Sequence, residues 1–287
     1  MTTRNPAWRA TRALLFNHLD ACALTLAIAG LSLALNGWIN VQSAFLLAAL
    51  VLTAWLAFAF NDYCDAPHDA LEPAKRERNF FALTRTPRTV LQFGFVALCG
   101  VAALGYLQYG ERGAAVLAVA LFGLWAYSAP PLRLKKRPIA DLITHASFVQ
   151  TLPYITPIFL MGAVPTMLDR LLIAVFFLSS LSAQLEQQAR DYDVDRRTDG
   201  NFTTYFGRGL SIGLVRAVTV GIIALCVIGA VAGLIPPVVY PLGLIGAPLA
   251  IHRIVRRATQ PRSEWLVRIA AVAAALYIGG IAVSLMW

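Results

Sequence analysis

Charge is what this chain has least of. Only 14% of its 287 residues are Asp, Glu, Lys or Arg, where a soluble domain carries about 25%. That excludes an ordinary water-soluble globule. Cysteine is scarce as well. Cys22, Cys64, Cys99 and Cys226 form no CxxC pair and no zinc-ligand spacing, so neither a disulfide framework nor a zinc centre is expected. Three of them lie inside apolar runs, where a thiol is simply a small hydrophobe. There is no strict internal repeat and no low-complexity segment. A short apolar core with a small-residue cleavage site is also missing: Arg4, Arg9 and Arg12 precede a long first apolar run, so no cleavable signal is expected.

Apolar residues are what the chain has in excess, at 58%. They fall into runs near the roughly 20 residues a bilayer span needs. We read an all-α, polytopic membrane protein with about nine spans, over residues 18–37, 42–62, 88–109, 112–128, 139–163, 168–188, 210–233, 236–254 and 264–286. Pro236-Pro237 separates the seventh from the eighth, because proline lacks a donor and clashes with the preceding helical turn. Runs spread from end to end argue for a single integral-membrane domain over 1–287.

The net charge is +9. The basic residues occupy short loops between spans, so they suit chain orientation and anionic headgroups or substrates, and no nucleic acid is expected. Nine spans create two sets of loops. All 24 basic residues except Arg112 and Arg170 fall in one set. The positive-inside rule then places the N-terminus and that set of loops in the cytoplasm, and Trp287 outside.

Two acidic clusters carry the chemistry. The second span runs into Asn61-Asp62-Tyr63-Cys64-Asp65-Ala66-Pro67-His68-Asp69, where Asn61, Asp65 and Asp69 repeat at i, i+4, i+8. The sixth ends in Arg190-Asp191-Tyr192-Asp193-Val194-Asp195, and Asp191, Asp195 and Asp199 have the same spacing. That spacing stacks carboxylates on one helical face, and Pro67 could displace Asp69 from it. Stacked like charges repel, and ionisable groups at a membrane mark function. Mg²⁺ relieves the repulsion, because it takes hard oxygen ligands from a few carboxylates and from substrate phosphates. A solvated helix end would explain one such cluster. Two with matched spacing, both at cytoplasmic span ends and able to face one cavity, point to a metal-diphosphate site. Asp62 lies off the stripe but three residues before Asp65; Asp193 reads as solvated.

A diphosphate also needs cations. Lys75, Arg76 and Arg78 follow the first cluster, Arg190 precedes Asp191, and Lys135 lies in the basic stretch Tyr127–Pro138. Arginine can hold phosphate oxygens with two parallel bonds, and lysine acts as a point charge. Orientation of the chain alone would also explain each of them. His68 reads as a solvated helix-end residue and His145 as a satisfied bundle histidine. Glu186, five residues before Asp191, stands out as an acid inside a span.

These residues resemble a known family. Asn61 to Asp69 is similar to NDxxDxxxD, the first signature of the UbiA superfamily of intramembrane prenyltransferases. Asp191, Asp195 and Asp199 resemble its second signature, and Tyr127 to Lys135 its YSxPPxRLK stretch. Thr203, Thr204, Gly207 and Arg208 continue the likeness. The resemblance implies a ring of helices around a central cavity open to lipid. It implies that Asn61, Asp65, Asp191 and Asp195 hold Mg²⁺ and diphosphate, with Asp62, Asp69 and Asp199 as supports. It further implies transfer of a prenyl group from a prenyl diphosphate to an electron-rich, aromatic or lipophilic acceptor. Two stretches depart from the family. An RPxxSG-like segment is replaced by Arg76-Glu77-Arg78-Asn79-Phe80-Phe81-Ala82. The RxDxPxG of members acting on 4-hydroxybenzoate is replaced by Phe16-Asn17-His18-Leu19-Asp20-Ala21-Cys22, so that acceptor is not expected. Apolar and aromatic walls, including Phe148 and Tyr154, would shield a carbocation-like prenyl group. The alternatives are a terpene cyclase using the same diphosphate, a carotenoid- or polyprenyl-phosphate-modifying transferase, and a membrane transporter using the carboxylates as ion sites.

Overall fold

Every run read as a span is helical. The computed structural model describes residues 6–84, 87–196, 200–257, 260 and 263–284, and among these no strand occurs. The helices are α1 (Pro6–Phe16), α2 (Leu19–Leu35), α3 (Val41–Asp69), α4 (Pro73–Arg76), α5 (Phe80–Leu83), α6 (Arg88–Leu107) and α7 (Gly110–Ser128). They continue as α8 (Pro138–Ala146), α9 (Leu152–Leu160), α10 (Met167–Asp195), α11 (Phe202–Phe206), α12 (Arg208–Val231), α13 (Tyr240–Val255) and α14 (Glu264–Ser284). Asp199, Arg4, Arg85, Arg197, Arg262 and Trp287 lie outside the described residues.

Seven described helices are long and apolar enough to cross a membrane, with α1 and α2 counted together as Trp8–Leu35. The expected count of nine is therefore not reached on length and composition alone. The two remaining expected spans show why. Helix α7 opens with Glu111 and Arg112 in its first turn, which shortens its apolar stretch. The span expected at 139–163 is divided into α8, a π turn at Ser147–Thr151, and α9. Pro153 has no N–H to give and its ring crowds the carbonyl four residues back, so the regular ladder opens there. Leu152 donates to Ser147 O instead, and Thr151 Oγ1 donates to Ala146 O at 2.8 Å.

The chain divides into two compact units. The first comprises Met1–Ala23 and Ala44–Arg133. In it α6 and α7 form a tight hairpin. A Cβ on Gly113 would stand 1.8 Å from the Tyr106 carbonyl oxygen, so only glycine fits the turn. Gly105 likewise lets α6 approach α3: a Cβ there would lie 2.4 Å from Ala49 Cβ. Small residues at such crossings are how membrane helices gain packing without a hydrophobic drive between them. Phe93, Val96 and Leu104 of α6 are exposed, as a lipid-facing helix requires.

The second unit comprises Leu24–Ser43 and Leu134–Trp287. Its apolar core gathers Ala27, Ile28, Leu31, Tyr154, Ile158, Leu172 and Ile278. Helix α10 begins with a capping box. Thr166 Oγ1 accepts from Asp169 N–H at 3.1 Å, and Asp169 Oδ2 accepts from Thr166 N–H at 2.8 Å. Tyr154 donates its hydroxyl to the other oxygen of Asp169 at 2.8 Å. The buried Asp169 thereby has its charge spread over several donors, and Tyr154 is a core residue with its polar end satisfied.

Candidate active site

In the first unit, α3 continues through Pro67 to Asp69. Asn61, Asp65 and Asp69 therefore stay on one stripe of an unbroken helix. Asn61 and the three aspartates of the motif each have a distinct partner. Asn61 Oδ1 accepts from Ser128 Oγ at 3.2 Å. Asp62 lies 2.8 Å from His18 Nε2, and that imidazole stacks on Phe58 at 4.9 Å between ring centroids. Asp65 pairs with an Arg133 guanidinium nitrogen at 3.3 Å. Asp69 accepts from Asn79 Nδ2 at 2.8 Å. Arg133 sits just after the Ala129–Leu132 turn with φ of 38°, a left-handed conformation that disfavours a side chain. The stretch that the family likeness singled out is thus bent so that its arginine meets Asp65.

Of the basic residues proposed beside this motif, Lys75 and Arg76 lie on α4, and Lys75 is within electrostatic reach of Asp69. Arg76 and Arg78 are exposed, as is His68.

In the second unit, α10 runs past its expected end at 188 to Asp195. Arg190 grips Asp191 with a fork, Nε to Oδ1 at 2.8 Å and a terminal nitrogen to Oδ2 at 2.9 Å. Its remaining terminal nitrogen donates to Glu264 Oε1 at 2.7 Å. Asp195 accepts from Asn201 Nδ2 at 3.0 Å. Asp193 is exposed, as expected of a residue off the stripe, and lies 3.6 Å from Arg208. Lys135 is half-buried in the 3-10 turn Leu134–Lys136. Asp199 cannot be placed, because it lies outside the described residues.

Behind this motif, α10 is fixed by buried polar groups. Glu186 has a fully buried carboxylate held by Arg253 at 3.1 Å and Arg256 at 2.6 Å, both from the α13 end. The intramembrane acid is therefore an anchor between helices. On another face of the same helix Gln184 and Gln188, one turn apart, donate to the buried Asp141 of α8. Gln188 Oε1 accepts from Thr203 N–H at 3.1 Å, and Thr203 Oγ1 lies 2.8 Å from Ser211 Oγ. His145 is satisfied by Ser180 at 3.2 Å, matching its reading as a bundle histidine. Together these bonds hold α8, α11 and α12 to the helix that carries Asp191 and Asp195.

Sequence reasoning missed His18, Ser128, Asn79, Asn201 and Glu264, and covered Arg133 only as part of the basic stretch Tyr127–Pro138. Asn79 and Asn201 left one signal. Each is an asparagine opening a short apolar helix, the usual N-cap choice. The donor set itself, carboxylates and amide oxygens with no thiolate or imidazole cluster, suits a hard cation such as Mg²⁺. Among the described residues no three His, Cys, Asp or Glu side chains close on one point.

The comparisons with known proteins agree with this architecture. The UbiA homolog from Archaeoglobus fulgidus bound to DMAPP and Mg²⁺ superposes with a TM-score of 0.77, at 14% identity over 96% of this chain and 99% of that one. The same homolog bound to GPP and Mg²⁺ gives 0.70, at 15% identity over 96% and 99%. The apo UbiA homolog from Aeropyrum pernix K1 gives 0.65, at 16% identity over 94% and 98%. At such identities the likeness shows the fold. No curated protein matches the chain by sequence. The model of the UbiA prenyltransferase family matches residues 23–283, nearly the whole length. The chain is an integral membrane protein and belongs to the UbiA prenyltransferase family.

Proposed function

We propose that this protein is a Mg²⁺-dependent intramembrane prenyltransferase that moves a prenyl group from a prenyl diphosphate to an electron-rich, aromatic or lipophilic acceptor. The observation that carries the reading is the pair of acidic motifs. Each forms the terminal turns of a long apolar helix, in a chain of a prenyltransferase family. Structural neighbours bound to DMAPP or GPP with Mg²⁺ support the donor and the metal.

In this reading Asn61, Asp65, Asp191 and Asp195 hold the metal and diphosphate, with Asp62, Asp69 and Asp199 in support. Lys75, Arg76, Arg78, Lys135 and Arg190 face the phosphate charge. Bound Mg²⁺ supplies positive charge to the leaving diphosphate. The chain's own cations add to that stabilisation where negative charge develops, usually a large part of catalysis. The allylic C–O bond breaks and its electron pair leaves with diphosphate. An electron pair of the acceptor forms the new bond to the prenyl carbon, and the acceptor then releases a proton. In the same reading the motifs and the N-terminus are cytoplasmic and the C-terminus lies outside, an orientation that rests on the positive-inside rule.

The test is pyrophosphate release by the purified protein from geranyl, farnesyl, geranylgeranyl and longer polyprenyl diphosphates, with and without Mg²⁺ and with a membrane-lipid extract. Release that needs both Mg²⁺ and extract supports a transferase. Release without extract points to a cyclase. No release from any donor overturns the enzyme reading in favour of a transporter.

A further inference from the structure

We propose that Asn79 and Asn201 are positioning residues that orient Asp69 and Asp195 for the cation. The inference rests on the proposed Mg²⁺-diphosphate function and says how this chain builds the site. Both asparagines are buried, at 2% and 6% exposure. Both follow an acidic motif, and both turn back onto it.

Asn79 uses all its hydrogen-bonding capacity. Its Nδ2 donates to Asp69 Oδ2 at 2.8 Å and to the Asp62 carbonyl at 2.7 Å. Its Oδ1 accepts from the N–H groups of Phe81 at 2.9 Å and Ala82 at 3.3 Å. Asn201 repeats the arrangement. Nδ2 donates to Asp195 Oδ2 at 3.0 Å, and Oδ1 accepts from Thr204 N–H at 3.0 Å. In each case backbone donors claim the amide oxygen. The NH₂ end must therefore face the carboxylate, and a flipped amide is excluded.

A neutral donor suits the task. Fixing one carboxylate oxygen stops the group from rotating, so the carboxylate is held in one orientation. Partners behind a metal's ligands typically change its affinity by about 10–100-fold. Asn79 also stands in the stretch where this chain departs from the RPxxSG-like pattern.

Serine separates the two jobs of these residues. It is as good an N-cap as asparagine, so Asn79→Ser and Asn201→Ser keep α5 and α11 capped. It has no amide to reach the aspartate. Mn²⁺ binding to the full-length protein, with inorganic pyrophosphate present, is read from the EPR signal of free Mn²⁺. Each Ser variant should bind Mn²⁺ about tenfold more weakly, in metal-free protein that still melts cooperatively. In turnover, excess Mg²⁺ should restore kcat, with KM for the prenyl diphosphate little altered. Adding Asn79→Ser to Asp69→Asn should weaken Mn²⁺ binding no further. If a Ser variant fails to fold, the Thr variant, also a capping residue, decides by the same measurement. Wild-type Mn²⁺ affinity in the variants, or an additive effect in the double variant, overturns the inference while leaving the function standing. A wild-type protein that binds no Mn²⁺ with pyrophosphate overturns the function first.

Discussion

At the end of α3 two of the three aspartates find their partners far away in the sequence: Asp62 meets His18 at a separation of 44 residues and Asp65 meets Arg133 at 68, while Asp69 meets Asn79 at 10. At the end of α10 the partners are local. Asp191 is gripped by its neighbour Arg190, and Asp195 is held by Asn201 six residues on. The same spacing of acids is thus supported in two ways. The second motif is largely organised by its own segment and then tied to distant Glu264 through Arg190. The first is organised only when the turn after α1, α5 and the turn after α7 have packed. A motif held by long-range partners costs more loop closure, and its geometry is more exposed to changes elsewhere in its unit.

The largest expected effect tests whether the two motifs serve one reaction. Asp65→Asn and Asp191→Asn should each lower Mg²⁺-dependent pyrophosphate release by about 10³-fold in protein that still folds. Full activity in either folded variant would break the parallel between them. Arg190→Lys sharpens the contrast. Lysine cannot span both Asp191 oxygens and reach Glu264 as well, so kcat should fall by about 10²-fold. Arg133→Lys gives up one contact at 3.3 Å, and its loss should stay under about tenfold. Equal losses at both sites would remove the distinction.

Stability should divide the units in a similar way. The Glu186 carboxylate is fully buried between two arginines, so Glu186→Gln leaves uncompensated charge and should cost about 3–5 kcal/mol. The Asp65–Arg133 pair is about a quarter exposed, at 26% and 23%, and breaking it should cost less than about 1 kcal/mol. Thermal melting in one detergent reads both. The smallest effect is expected at His18. Its replacement by Ala removes a support of Asp62, a residue off the main stripe, and should slow release by no more than about threefold. A loss as large as that of Asp65→Asn would promote Asp62 and His18 to the centre of the chemistry.

Much of the fold could be read without coordinates. Apolar runs located the seven described helices long and apolar enough to cross a membrane, because a bilayer leaves the backbone few other ways to satisfy its polar groups. The interruption at 147–151 was harder to see. Pro153 signals a break in the ladder, but whether the helix bends, stops or widens into a π turn depends on Thr151 and its neighbours. The acid stripe was legible because helical spacing is fixed. Pro67 seemed able to displace Asp69, yet α3 runs through it. Glu186 drew notice as an acid inside a span, but nothing in its own segment pointed to Arg253 and Arg256, 67 and 70 residues on.

The sequence by itself determined the solvent of this protein, its helices, and the two acidic faces from which its family follows. These depend on local composition and on the 3.6-residue period, which short stretches of chain carry. Only the tertiary structure decided which distant partners the motifs take: His18 and Arg133 for one, and Glu264, reached through Arg190, for the other. Side-chain pairing at that level is set by how helices distant in sequence pack. No spacing along the chain encodes it.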